Sequence, residues 1–160
     1  MDSKALFDEI ELALPEVPMP INAELTFHKT DCLQCEYLRN ELEENRDKEI
    51  TGKLIRYLHM ELSCLSSASW RWILPHYLKF SLTPEAVRNT FETQSIIFNL
   101  GPDPAFQADT KVRLSSLNQK QITCLVHFLE WLKNHTHWNE YCPEDIDGAL
   151  KFMRSLTIYP

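Results

Sequence analysis

Residues 65–84 read LSSASWRWILPHYLKFSLTP, and this stretch decides the fold class. Trp70, Ile73, Leu74, Tyr77 and Leu78 recur at the three- and four-residue spacing that lines one face of an α-helix. With a tryptophan and a tyrosine among them, that face is heavy enough to sit at the centre of a core. Ser66 or Ser67 can cap its start. Pro75 stands inside the pattern; an interior proline removes one backbone hydrogen bond and costs about 3 kcal/mol, which predicts a kink or a break near Trp72. Thr83-Pro84-Glu85 then opens another helix, with a capping hydroxyl, proline at the first helical position and an acid near the positive end of the helix dipole. That helix is expected to run to about Asn99.

The same logic extends in both directions. Leu6, Ile10 and Leu14 form a short stripe after Asp2 or Ser3 and end before Pro15. Residues 15–30 follow as an extended connector, because three of their first six positions are proline and each disfavours helix at the residue before it. Asp31 can cap a helix whose Cys35, Leu38 and Leu42 share a face. Gly52 interrupts, and Leu54, Leu58 and Leu62 resume the stripe, widened by Ile55 and Leu65. Residues 100–115 contain GPDPAFQADT, whose glycine, prolines and aspartates read as a long loop. Ser116 and Gln119 have capping-box spacing before Ile122, Leu125, Val126, Leu129 and Leu132, the best amphipathic pattern in the chain. Pro143-Glu144-Asp145 starts the last helix, with Ile146, Leu150 and Met153 inward.

Only three glycines among 160 residues disfavour hairpins and glycine-rich phosphate loops. A 44% hydrophobic fraction supplies a core, and the length fits one domain. The expectation is therefore an all-α, compact single-domain bundle of about six or seven helices over residues 1–160. The formal net charge of -7 has the wrong sign for neutralising a nucleic-acid backbone; it favours solubility and basic partners, and many cytosolic proteins carry as much negative charge with no partner. The N-terminus lacks the basic start and apolar run of an export signal, and no apolar stretch approaches the roughly 20 residues of a membrane span. Five cysteines, an odd number, suit a reducing cytoplasm better than a disulfide framework.

One cluster could hold chemistry: His28, Cys32 and Cys35 in FHKTDCLQCEY. A C-x-x-C pair lets two sulfurs reach one ion, and an imidazole four residues earlier adds a third ligand. A structural zinc normally takes four, so the last would have to come from His59, Cys64, His76, Cys124, His135, His137 or Cys142. Cys32 and Cys35 can equally be small residues at a helix start, with Cys35 in the core. As a redox dithiol they would gain from the helix dipole, although a proline-rich connector precedes them where a thioredoxin-like motif has a strand. His59-Met60-Glu61 matches the H-x-E of zinc deaminases, but there the cysteine pair follows H-x-E and a proline precedes it; here the order is reversed. His135, His137 and Cys142 could form a second metal site or merely a helix-end turn with Trp138 and Tyr141. Trp70, Trp72, Trp131 and Trp138 could line a pocket, but at helical spacing they read first as core. No G-x-S-x-G, S-x-x-K or H-E-x-x-H is present, so catalysis has no positive signal.

LSSASWRWILPHYLKFSLTP, with HKTDCLQC upstream, resembles a group of small bacterial proteins that form a domain-of-unknown-function family, in outline over residues 17–150. The resemblance implies a bacterial cytoplasmic protein and transfers no catalytic residue. Charge sign, size and absent catalytic motifs together lead to an acidic domain that binds another protein, as an immunity-like inhibitor or an adaptor, with no required cofactor. The alternative is a zinc-binding domain built on His28, Cys32 and Cys35.

Overall fold

The computed structural model describes residues 1–58 and 60–157, and among them the chain forms helices and turns with no β-strand. α1 (Ser3–Ala13) begins where Asp2 accepts a hydrogen bond from the Ala5 N–H and ends at Leu14, ahead of Pro15. Leu6 and Ile10 form its buried stripe. The connector follows, closed by a 3-10 turn (Asn22–Leu25). Then come α2 (Leu33–Glu44), α3 (Gly52–Leu58) and a 3-10 turn (Leu62–Cys64). α4 (Ser67–Ser81), α5 (Pro84–Arg88) and α6 (Phe91–Leu100) build the middle of the chain. A 3-10 turn (Pro104–Phe106), α7 (Gln107–Leu114), α8 (Gln119–Asn134), α9 (Thr136–Tyr141) and α10 (Pro143–Thr157) complete it.

α8 and α4 are the two central elements. α10 packs along α8 and α6, α1 lies against α8 and α4, and α7 covers α4. Their buried faces merge into one apolar core in which Trp70, Tyr77, Phe128 and Trp138 are the largest fully enclosed side chains. The four tryptophans are all buried there, as helical spacing implied. The polar tips find partners where they can: Trp70 Nε1 donates to Leu62 O at 3.0 Å, and the Tyr77 hydroxyl donates to Ile55 O at 3.1 Å.

Several sequence expectations are corrected. The described residues form ten α-helices, not six or seven. The segment from Thr83 does not run unbroken to Asn99: α5 stops at Arg88 and α6 restarts at Phe91. The loop over residues 100–115 is mostly helix, because glycine and proline occupy only its first turn while Thr110, Arg113 and Leu114 supply a buried stripe against α4. Pro75 does not break α4, since Trp70, Ile73, Leu74, Tyr77 and Leu78 anchor both halves in the same core. The capping box of α8 uses Asn118 and Gln121. Ser116 instead donates its hydroxyl to Ser67 O at 2.8 Å, tying the start of α8 to the start of α4. Asp31 does not cap α2: it holds a left-handed φ of 59°, and Cys32 is the N-cap with no side-chain hydrogen bond.

At Gly101 the end of α6 meets α10, where a Cβ would lie 2.6 Å from both the Cα and the N of Ala149. Gly148, one residue earlier on α10, has open space around it. Gly101→Val is therefore expected to lower stability by about 1–3 kcal/mol or more through forced separation of the two helices. Gly148→Ala should raise it by about 0.5–1 kcal/mol through helix propensity. Urea unfolding of both variants checks the opposite signs.

Candidate functional site

The segment carrying the C-x-x-C pair is fastened to the start of α4 before it reaches α2. Thr26 pairs with Leu65 in an isolated antiparallel bridge, and the Phe27 N–H donates to Cys64 O at 2.7 Å. Arg39, from α2, donates to Thr26 Oγ1 at 2.6 Å and His28 O at 3.0 Å, closing the loop from the other side. Cys32 then sits at the N-cap, half-buried, with Cys35 fully buried one turn later. The fastening brings Cys64, itself buried, against Cys35, so the Cys35 side chain interacts with both Cys32 and Cys64.

The three thiols have different electrostatics. The nearby Cys35 backbone and thiol, then the Gln34 backbone and the Arg39 cation, lower the Cys32 pKa from the ordinary thiol value against an opposing effect of desolvation. Desolvation pushes Cys35 up, and it pushes Cys64 up to about 12. His28 is exposed; its ring stands edge-on to Phe27 with centroids 5.1 Å apart, and its backbone N–H hydrogen-bonds Cys35. Among the described residues, no group of three or more His, Cys, Asp and Glu side chains is arranged to hold a metal ion.

The other proposed fourth ligands are dispersed. Cys124 is in the α8 core, and His76 is on α4. His59 lies outside the described residues, so the H-x-E reading falls there too; Glu61 accepts a hydrogen bond from Gln34 at 2.7 Å. His135 packs against Trp131, with ring centroids 5.0 Å apart, and His137 stacks on Tyr141 at 5.9 Å. The Cys142 thiol faces Trp138 O at 3.8 Å. These contacts give the helix-end histidines a packing role.

Two further features were not legible in the sequence. The outer face of α2 exposes Leu33 and Tyr37 at 72% and 73%. It is joined to the end of α3 by the Tyr57 hydroxyl, which donates to Glu41 at 2.7 Å, and by the Gln34–Glu61 bond, so Tyr57 and Met60 extend the same surface. On the other side of α2, a cleft of about 480 Å³ opens beside the connector, lined by Glu16, Met19, Arg46, Leu54, Trp72 and His76. Its charged groups are committed to structure. Arg46 donates to Met19 O at 2.9 Å, to Pro20 O at 2.6 Å and to Glu43, which pins the connector to α2. Burial lowers the His76 pKa.

An all-α fold of this kind defines a structural class and not an activity. The chain belongs to a family of unknown function, DUF6714, which matches residues 25–146. No curated protein and no solved structure matches it. The matched region contains the thiol cluster, the α2–α3 face and the α4 core, and begins at the residue whose carbonyl receives the start of α4. No helix among the described residues is long and apolar enough to cross a membrane.

Hydrogen bonds from Arg46, and then from the Asn22 N–H, hold the Glu43 carboxyl down to about 2 from an ordinary 4.5. A depressed carboxylate stabilises the fold above its unfolded value and loses that contribution as pH falls toward the folded value. Thermal melts between pH 7 and pH 2 should show wild-type stability declining most steeply over the lower part of that range. Arg46→Met should melt lower at neutral pH and show a shallower acid decline.

Proposed function

We propose that this chain is an acidic protein-interaction domain that binds a basic partner protein as an inhibitor or an adaptor. The α2–α3 face carries the reading. Leu33, Tyr37 and Met60 are each at least 70% exposed, Tyr57 lies beside them, and large apolar and aromatic side chains grouped on a surface mark association sites. Glu41 and Glu61 border this centre through their bonds to Tyr57 and Gln34, Glu36 and Glu44 lie on the same helix α2, and the whole chain carries a net charge of -7. An apolar centre with an acidic rim complements a partner that presents lysines and arginines around an apolar patch, and steers it at low salt. Five free thiols accord with a reducing, cytoplasmic setting for that encounter.

The test places a photo-reactive benzoylphenylalanine at Tyr37, with the same group at Phe106 as a control, and irradiates cells producing the protein. A specific adduct with a basic protein is expected from position 37 alone. The purified adduct protein should bind the unmodified domain, lose about tenfold affinity or more on Tyr37→Ala, and weaken further with added salt. An acidic or nucleic-acid partner, a second copy of this chain, no adduct at position 37, or binding indifferent to Tyr37→Ala would each overturn the reading.

A further inference from the structure

We propose that Cys32 and Cys35 form a thiol–disulfide exchange site, at which Cys32 attacks a low-molecular-weight disulfide and Cys35 resolves the mixed disulfide. The site stands on different observations from the interaction face. Cys32 is the N-cap of a 12-residue helix and Cys35 lies in its first turn, near enough to act on the Cys32 thiol. Cys32 is the accessible member and Cys35 the enclosed one. Behind Cys35 lies Cys64, held there by the Phe27–Cys64 backbone hydrogen bond and the Thr26–Leu65 bridge.

This placement assigns the order of events. Cys32 can be reached by a disulfide in solution and Cys35 cannot, so Cys32, as the attacking thiolate, makes the first contact. Burial favours the neutral thiol at Cys35 and Cys64. In the first step the Cys32 thiolate forms a bond to one sulfur of R–S–S–R, the disulfide bond breaks, and one RS⁻ leaves. In the second, Cys35 gives up its proton to a departing thiolate and its sulfur attacks Cys32, breaking the mixed disulfide and releasing the other R group as thiolate. The sum is Cys32–S⁻ + Cys35–SH + R–S–S–R → Cys32–S–S–Cys35 + RS⁻ + RSH. Two protein thiols are oxidised by two electrons, and the disulfide, which is the oxidant, is reduced to two thiols.

Reduced full-length protein exposed to oxidised glutathione tests the proposal, with products read by intact mass and peptide mapping. Wild type should lose two hydrogens, carry no glutathione and show a Cys32–Cys35 linkage. Cys35→Ser should retain one glutathione on Cys32; Cys32→Ser should react at least about tenfold slower than wild type; Cys64→Ser should behave as wild type. Because Cys35 is a core residue, the unmutated protein supplies an independent measurement: limited alkylation of the reduced chain should label Cys32 ahead of the four buried cysteines. Another cysteine labelled first, a Cys32→Ser variant as fast as wild type, or an adduct mapped to another cysteine would overturn the proposal. So would protein that carries one zinc per chain and reacts only after chelation, which would return the thiols to the metal reading.

Discussion

The end of the connector serves as the docking point for α4, and the arrangement of the first half of the chain depends on it. The Leu25 carbonyl accepts both the Ser66 N–H, at 3.2 Å, and the Ser69 hydroxyl, at 2.8 Å, while the Ser66 hydroxyl donates to the Glu24 carbonyl and its oxygen also accepts the Ser69 N–H. Backbone groups at a helix start and in a loop would be costly to bury unpaired, and here each segment satisfies the other. Thr26 and Leu65 are both fully buried at this junction, and the Ser69–Leu25 bond is buried with them, whereas the Ser66–Glu24 bond lies at the surface. The junction fixes where α2 begins, and hence where Cys32, Leu33, Cys35 and Tyr37 stand.

A second layer of polar contacts joins α3, α5 and α6. Arg56 reaches Glu92 at 2.6 Å and Glu85 at 2.9 Å. Glu92 is almost fully enclosed while Arg56 is half exposed, so the guanidinium keeps some hydration as it compensates a buried carboxylate. Nearby, the Thr93 hydroxyl donates to Ser81 Oγ at 3.0 Å, and Ser81 donates to Tyr77 O at 3.0 Å. These chains of donors tie the short helices to α4, which their limited apolar surface alone would hold weakly.

What could be read from sequence was local. α1, α4, α8 and α10 announced themselves through sustained apolar stripes, and the residues those stripes named are buried, although the full buried faces are wider and include Phe128 of α8 and Phe152 of α10. α7 was hidden because proline and glycine precede it closely and its stripe is only two turns long. The break between α5 and α6 carries neither residue and arises at Asn89 and Thr90. Cys32 and Cys35 were visible as candidates because their relation is a spacing of three. That Cys64 joins them is a tertiary fact, created by the bridge between Thr26 and Leu65, and in the sequence it was one of seven possible companions. The α2–α3 face was missed for the same reason: Tyr37 and Tyr57 share a surface only because Glu41 accepts the Tyr57 hydroxyl.

The meeting of α6 and α10 at Gly101 and Ala149 also shapes how this sequence can drift. Two backbones approach there because neither position carries bulk, so the spacing of the helices is set by what is absent from the side chains. Positions 101 and 149 form a single steric unit: enlargement at one is admissible only with a shift of the whole of α10 along α8. Relatives that keep this helix arrangement should vary at the two sites jointly, with small residues in both, whereas exposed positions such as Leu12 are free to change alone.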